Sequence, residues 1–254
     1  MIDIHCHILP GVDDGPATVE ESLIMAKEAV NEGIKTIIAT PHHRNNKYEN
    51  TKNQIIENVS SLNNLLKKEN IPLEILPGQE NRIYGEILED YRKGEILTLS
   101  NTNYLFIEFP SSTVPRYSER LLYDIQTEGL TPIIVHPERN KELQDNPDLL
   151  YNLVKHGALT QVTAASIAGY FGKSIQKFSK QLVDHNLTHF IASDAHNTNN
   201  RTFKLNEALS QIEKENGIDY VYLFTENSES MLLNEEVARE IPEPIKKKKF
   251  LGIF

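Results

Sequence analysis

The strongest constraint on the fold is an alternation. Short apolar runs of strand length recur along the 254 residues, and helical periodicity fills the intervals between them. Strand, helix, strand in repetition specifies a parallel sheet with crossover helices. The runs are Met1–His7, Ile34–Thr40, Leu73–Glu80, Tyr104–Phe109, Thr131–Pro137, Ala158–Thr163 and His189–His196, of which the sixth is the least apolar. Tyr220–Phe224 reads as an eighth strand or as an addition outside a closed ring. After the first run, Thr18-Val19-Glu20-Glu21 has the spacing of a capping box. It opens a helix with Leu23, Ala26, Ala29 and Val30 on one face, ending near Gly33. Ile55, Val59, Leu62 and Leu66 mark a second helix, and Ile83 to Tyr91 a short third one. No repeat or low-complexity linker divides the chain, so residues 1–254 read as one domain. Seven or eight such units at this length fit a barrel better than an open sheet.

The polar residues make the case for the barrel. His5 and His7 stand either side of Cys6, and in a strand residues i and i+2 share a face, so the two imidazoles project together and the thiol points away. The second run is closed by His42, the third by Glu80, the fourth by Glu108, the fifth by His136 and the seventh by Asp194 and His196. Asp13 and Asp14 follow the first run closely. Each residue alone has an ordinary reading, such as a core carboxylate paired to an arginine or a helix cap. Gathered at the same end of successive strands, where barrels build their sites, they read as a multi-metal centre. The chain has a single cysteine, which excludes an intrachain disulfide and a thiolate zinc cluster. Metal held by His, Asp and Glu points to manganese, iron or zinc.

Charge narrows the partners. A formal net charge of −10 argues against an open nucleic-acid-binding face, which needs clustered Lys and Arg. It leaves room for a phosphorylated substrate, because bound divalent cations invert the local potential. There is no run of about 18 apolar residues to span a membrane, and the N-terminus lacks the basic flank and apolar core of a signal peptide. A cytoplasmic location, with no integral membrane segment, is therefore expected. From about residue 242 the composition changes: Lys246–Lys249 precede an apolar end. Such a terminus reads as solvated or packed on its own domain, with contact to an anionic membrane as the alternative.

The motifs HCH, PHH, GQE, HPER and SDAH resemble those of the PHP (polymerase and histidinol phosphatase) superfamily, from His5 to about Arg201. More narrowly, HCHILPGVDDGP, ATPHH and IVHPER resemble the bacterial PHP-type protein-tyrosine phosphatases. These are encoded beside the tyrosine kinases that control capsule and exopolysaccharide synthesis. Asp14 and Glu108 favour that narrower group, since broader PHP enzymes often carry histidine there. The resemblance implies a distorted (β/α)7 TIM-like barrel holding three divalent ions, with manganese favoured. It further implies one ion on His5, His7, Glu80 and Asp194, a second on Glu80, Glu108 and His136, and a third on Asp14, His42 and His196.

The implied reaction is hydrolysis of phosphotyrosine, on a bacterial tyrosine kinase and its substrates, by metal-activated hydroxide. Divalent metals lower the pKa of bound water from ~15.7 towards ~7, and a tyrosinate with a conjugate acid near ~10 leaves readily. Arg139, in HPER, and Arg201, beyond His196, are placed to bind phosphate through their planar forks. Both also have a structural reading, Arg139 in an ion pair with Glu138 or Glu142 and Arg201 as a helix cap. Arg44 and His43 are weaker candidates near the same mouth. Conventional tyrosine phosphatases use a cysteine thiolate with an arginine six residues on; here Val12 stands there, so Cys6 is expected to be an inert buried residue. Competing readings are a small-molecule phosphatase of the histidinol-phosphatase kind, an amidohydrolase, and a non-catalytic binding module. An amidohydrolase would not need His42, Glu80 and His196, and a degenerate module would have lost ligands.

Overall fold

The computed structural model describes residues 1–246. Among the described residues, nine strands form two parallel sheets. The first has the order β1 (Ile2–Cys6), β2 (Thr36–Ala39), β4 (Glu74–Pro77), and the second β3 (His42–His43), β5 (Glu80–Arg82), β6 (Tyr104–Glu108), β7 (Thr131–Val135), β8 (Leu159–Thr163), β9 (Phe190–Ala192). Every pairing between named strands is parallel. The expected α/β class with a parallel sheet is what the chain adopts.

Two of the expected runs break in two. The second passes from β2 to β3 through Thr40 and Pro41, and proline removes a ladder donor at the break. The third passes from β4 to β5 through Gly78, whose added Cβ would stand 2.6 Å from the Ile38 side chain. His42 and Glu80 thus begin short strands that pair with each other, His42 opposite Glu80, rather than closing the preceding ones. The sheets remain tied: His7 N–H donates to Ala195 O at 2.9 Å, and a parallel bridge joins Cys6 to Ala195 beyond β9.

The helices cover the outside. α1 (Val19–Asn31) begins at Thr18 with both hydrogen bonds of the capping box present. α2 (Lys52–Lys68) buries Ile55, Val59, Leu62 and Leu66, the stripe expected from their spacing. The short helix at Ile83–Tyr91 forms later, as Ile87–Arg92. Tyr220–Phe224 is not a strand but part of a helix, Ile218–Leu232, which buries Phe224, Asn227, Ser228 and Met231 and leaves Tyr222 exposed. That i, i+3, i+4, i+7 stripe is helical, and the run of five apolar residues conceals it.

One apolar cluster lies between strands and helices, and a second gathers Ile4, Ile38, Phe106, Ile133, Leu159 and Phe190. Phe106 and Leu159 are followed two residues on, and hence on the same side of their strands, by Glu108 and Gln161. The inner side is thus apolar at one level and polar at the next, and the His5 ring rests on Phe106 with centroids 5.0 Å apart. After Leu232 the chain returns to the body: Glu243 N–H donates to His185 O, and Ile245 is buried. Of the basic stretch, Lys247–Lys249 and the apolar end fall outside the described residues. No helix among the described residues is long and apolar enough to cross a membrane.

Candidate active site

The cluster is assembled at the C-terminal ends of the strands. The irregular register of β1 between Asp3 and Cys6 ends it with His5 Nε2 and His7 Nε2 3.3 Å apart. His136 and Asp194 leave β7 and β9 with positive φ, 36° and 52°, a strained region for side chains other than glycine. For Asp194 the device that holds this turn is visible. Buried Asp3 accepts hydrogen bonds from the Ser193 N–H and Ser193 hydroxyl, fixing the segment that carries Asp194. Burial raises the Asp3 carboxyl to about 6 against the lowering effect of Ser193.

All nine expected ligands converge. Asp194 Oδ1 lies 3.4 Å from both His5 Nε2 and His7 Nε2, and Glu80 Oε2 lies 3.7 and 3.3 Å from the same atoms. The other Glu80 oxygen accepts from His136 Nε2 at 2.8 Å. Asp14 Oδ1 lies 3.3 Å from His42 Nε2 and 3.4 Å from His196 Nε2. Three groups have ligand atoms close enough to share a cation: His7, Asp14, His42, His196; His5, His7, Glu80; and His42, Glu80, Glu108. This grouping differs from the expected partition in two respects. His7 and His42 each serve two groups, and His136 and Asp194 belong to none, His136 joining the cluster through Glu80 and Asp194 through His5 and His7.

Whether these residues suit a metal is decided by their unpaired atoms. His42 Nδ1, Glu80 Oε2, Glu108 Oε2 and His196 Nε2 are buried without a hydrogen bond. His42 Nδ1 and Glu80 Oε2 stand only 2.6 Å apart yet lack hydrogen-bond geometry. Buried polar atoms ordinarily find partners. Lone pairs aimed at common points, in a set of imidazoles and carboxylates without thiolate, fit hard or borderline divalent cations.

Protonation follows from burial and neighbours. Burial, with the charge of Arg139, pushes His136 down to about 4. Burial, with the charge of His7, does the same to His196, so both are neutral, the form that binds metal. Burial works against the charge on His42, but Glu80 and Asp14 raise it to about 10. Burial and the negative charge of Glu80 raise Glu108 to about 8. Burial opposes ionisation of Asp194, yet Arg139 and the surrounding histidines hold it well below the usual carboxylate range.

The arginines edge a cavity of about 260 Å³ whose lining includes His42, Glu108, Phe109, His136, Arg139 and Arg201. Arg139 donates to Asp194, with its guanidinium 5.6 Å from the Phe171 ring centre. Arg201 lies 3.1 Å from Asp14 and 3.6 Å from Asp194. The structural readings of both are not what the molecule shows: Glu138 is turned away to Thr163 N–H and the Ser166 hydroxyl, Glu142 accepts from Val114 N–H, and the helix after Arg201 is capped by Lys204. Arg44 pairs with Asp90 at 3.0 Å and lies over Tyr84, and His43 is buried, so neither lines this cavity. Cys6 is fully buried on the opposite side from its neighbours, and burial raises its thiol well above the ordinary range.

Several residues at the site escaped the sequence reading. Asp13 was visible beside Asp14, but its bond to His7 Nδ1, 2.7 Å, was not. Gln161, a polar residue in the least apolar strand, meets His5 Nδ1 at 2.8 Å. Arg82, two residues past Glu80, pairs with Glu108 at 3.1 Å.

Comparison with known proteins agrees with the geometry. The family model described as capsular polysaccharide synthesis, CpsB/CapC, matches residues 1–233. The tyrosine-protein phosphatase YwqE of Bacillus subtilis is 52% identical over 254 residues, covering 100% of both chains. The putative tyrosine-protein phosphatase CapC of Staphylococcus aureus is 40% identical over 255 residues, again covering 100% of each. A solved chain from the crystal structures of YwqE from Bacillus subtilis and CpsB from Streptococcus pneumoniae, described as unique metal-dependent tyrosine phosphatases, superposes with a TM-score of 0.96. It is 52% identical and covers 97% of this chain and 100% of that one.

Proposed function

The chain belongs to the CpsB/CapC family of capsular polysaccharide synthesis, and from that premise we propose that it is a metal-dependent protein-tyrosine phosphatase acting in capsular and exopolysaccharide synthesis. Its substrate is phosphotyrosine on a bacterial tyrosine kinase and that kinase's targets, and its place of action is the cytoplasm. The observation that carries this reading is the meeting of unpaired buried imidazole and carboxylate atoms with two arginines at one cavity.

The centre would take three divalent ions, manganese in the cell. The first would be held by His5, His7, Glu80 and Asp194, the second by Glu80, Glu108 and His136, and the third by Asp14, His42 and His196. The contact of Glu80 with imidazoles through both oxygens supports its place between two ions. When bound, the cations supply an activated water and neutralise charge on the phosphoryl group. The rest falls to the chain. Arg139 and Arg201 orient the phosphate oxygens from the rim and offset charge that develops on them. Asp194 and Asp14 hold both guanidinium groups facing the cavity until substrate arrives. We also infer a distorted (β/α)7 barrel forming a single catalytic domain, supported by the Cys6–Ala195 bridge and by Asp194 N–H donating to His5 O at 2.8 Å.

The test offers purified protein with Mn²⁺ a phosphotyrosine peptide, histidinol phosphate and a nucleic-acid end. Release of phosphate from the peptide alone is expected. Failure on the peptide with turnover of either other substrate overturns the reading.

A further inference from the structure

Behind the two histidines of β1 stand two buried groups of different chemistry. Asp13 has a side chain with no exposure, and its two oxygens take three donors. Oδ2 accepts from His7 Nδ1 at 2.7 Å and from the main-chain N–H of His42 at 3.1 Å; Oδ1 accepts from Gly15 N–H at 2.9 Å. Gly15 permits this turn, since a Cβ there would lie 2.3 Å from His7 O. Gln161 accepts from His5 Nδ1 at 2.8 Å through Oε1, and its own Nε2 has no partner.

We propose that Asp13 and Gln161 are positioning residues that fix the Nδ1–H tautomers of His7 and His5 and so aim both Nε2 atoms at the ion cluster, Asp13 serving two ion sites and Gln161 only one. This rests on the ion sites assigned above. An imidazole whose Nδ1 hydrogen is held by an acceptor has its Nε2 lone pair free and its ring fixed, which strengthens it as a ligand. The difference in reach follows from the contacts. A single Asp13 oxygen grips His7, a ligand of the first ion, and the backbone of His42, a ligand of the third, at the ends of separate strands. The Gln161 side chain touches His5 alone among the ligands, its main-chain O separately accepting from His136 N–H.

An amide at position 13 cannot reproduce the pattern. All three partners of Asp13 are donors, and an asparagine has only one acceptor oxygen, so its NH₂ must face an N–H. The second ion, on Glu80, Glu108 and His136, meets Gln161 only through the main-chain bond from His136 N–H to Gln161 O at 2.7 Å, which a side-chain substitution leaves in place, so it serves as an internal control.

The test measures manganese retained per chain, and its dissociation constants, for wild type, Asp13→Asn and Gln161→Leu. Loss of such outer contacts weakens metal binding by about 10–100-fold. Weakening of two ions is expected in Asp13→Asn, of one in Gln161→Leu, and of the second ion in neither. Wild-type affinity in Asp13→Asn, or the same number of weakened ions in both variants, overturns the proposal. Wild type that holds no divalent cation instead overturns the functional reading on which it rests. Should Asp13→Asn fail to fold, nitrogen NMR of the zinc-loaded wild type still decides. His5 and His7 are expected to ligate through Nε2 with a protonated Nδ1, and ligation of either ring through Nδ1 refutes the assignment.

Discussion

Glu80 Oε1 and His136 Nε2 meet at 2.8 Å, although β6 separates β5 from β7 in the sheet. The same carboxylate reaches His42 and His7 with its other oxygen, 2.6 and 3.3 Å away. No other carboxylate in the cluster is flanked in this way on both oxygens, and none is more completely buried. Glu80→Ala is accordingly expected to release two ions together and to lower turnover of a phosphotyrosine peptide by about 10²-fold or more. Metal analysis checks this. Loss of a single ion would remove Glu80 from its place between two sites.

The arginines should separate catalysis from metal binding. Arg139 and Arg201 approach the ligand carboxylates from the cavity side and are not themselves ligands. Replacing either by alanine removes a donor to the phosphoryl oxygens and is expected to cost about 10²–10³-fold in turnover. The metal content should stay that of wild type. Lysine at these positions should recover only part, because it keeps the charge without the fork. Steady-state kinetics alongside metal analysis on each variant decides it, and unchanged turnover excludes that arginine.

Cys6 offers a direct contrast with thiol-dependent phosphatases. Its sulfur is fully buried within hydrogen-bonding reach of Ala195 O at 3.5 Å, and burial raises the thiol well above its ordinary range. A thiol held protonated and out of solvent is a poor nucleophile. Iodoacetamide is expected to leave activity intact, whereas a chelator should abolish it and added Mn²⁺ restore it. Inactivation by alkylation at Cys6 with full metal content would contradict the arrangement.

What the sequence made legible was what alternation and strand ends encode. The pairing of His5 with His7 follows from i, i+2 geometry, the placing of Asp194 and His196 from their position at a strand end, and the α2 stripe from helical spacing. The breaks at Pro41 and Gly78 were not legible, because a run such as Ile34–Thr40 gives no sign of where its partner strand changes. Tyr220–Phe224 misled for a related reason: five apolar residues carry no period, and the helical stripe begins only at Phe224. Asp13 and Gln161 belong to a third kind. Their roles depend on contacts six and 156 residues along the chain, which no local pattern reports.

The acid limit of stability should bear the mark of a histidine away from the ion cluster. His189 is buried, accepts a hydrogen bond from Thr160 N–H through Nδ1 at 3.1 Å, and is pushed down to about 3, first by burial and then by the charge of Arg239. Between its ordinary value of 6.5 and about 3, the unfolded chain binds a proton that the folded one refuses. Stability from this group is therefore complete above pH 6.5 and falls as pH drops through the window, by roughly 1.4 kcal/mol per unit. Asp3, raised from 3.8 to about 6, acts with the opposite sign over part of that range, and the shifted groups of the site add their own contributions to the total curve. The comparison of wild type with His189→Gln isolates the histidine. Denaturant unfolding from pH 7 to pH 4 should show the variant losing less stability than wild type, by an amount on the order of a few kcal/mol. Parallel curves would mean that His189 accepts its proton in the folded state.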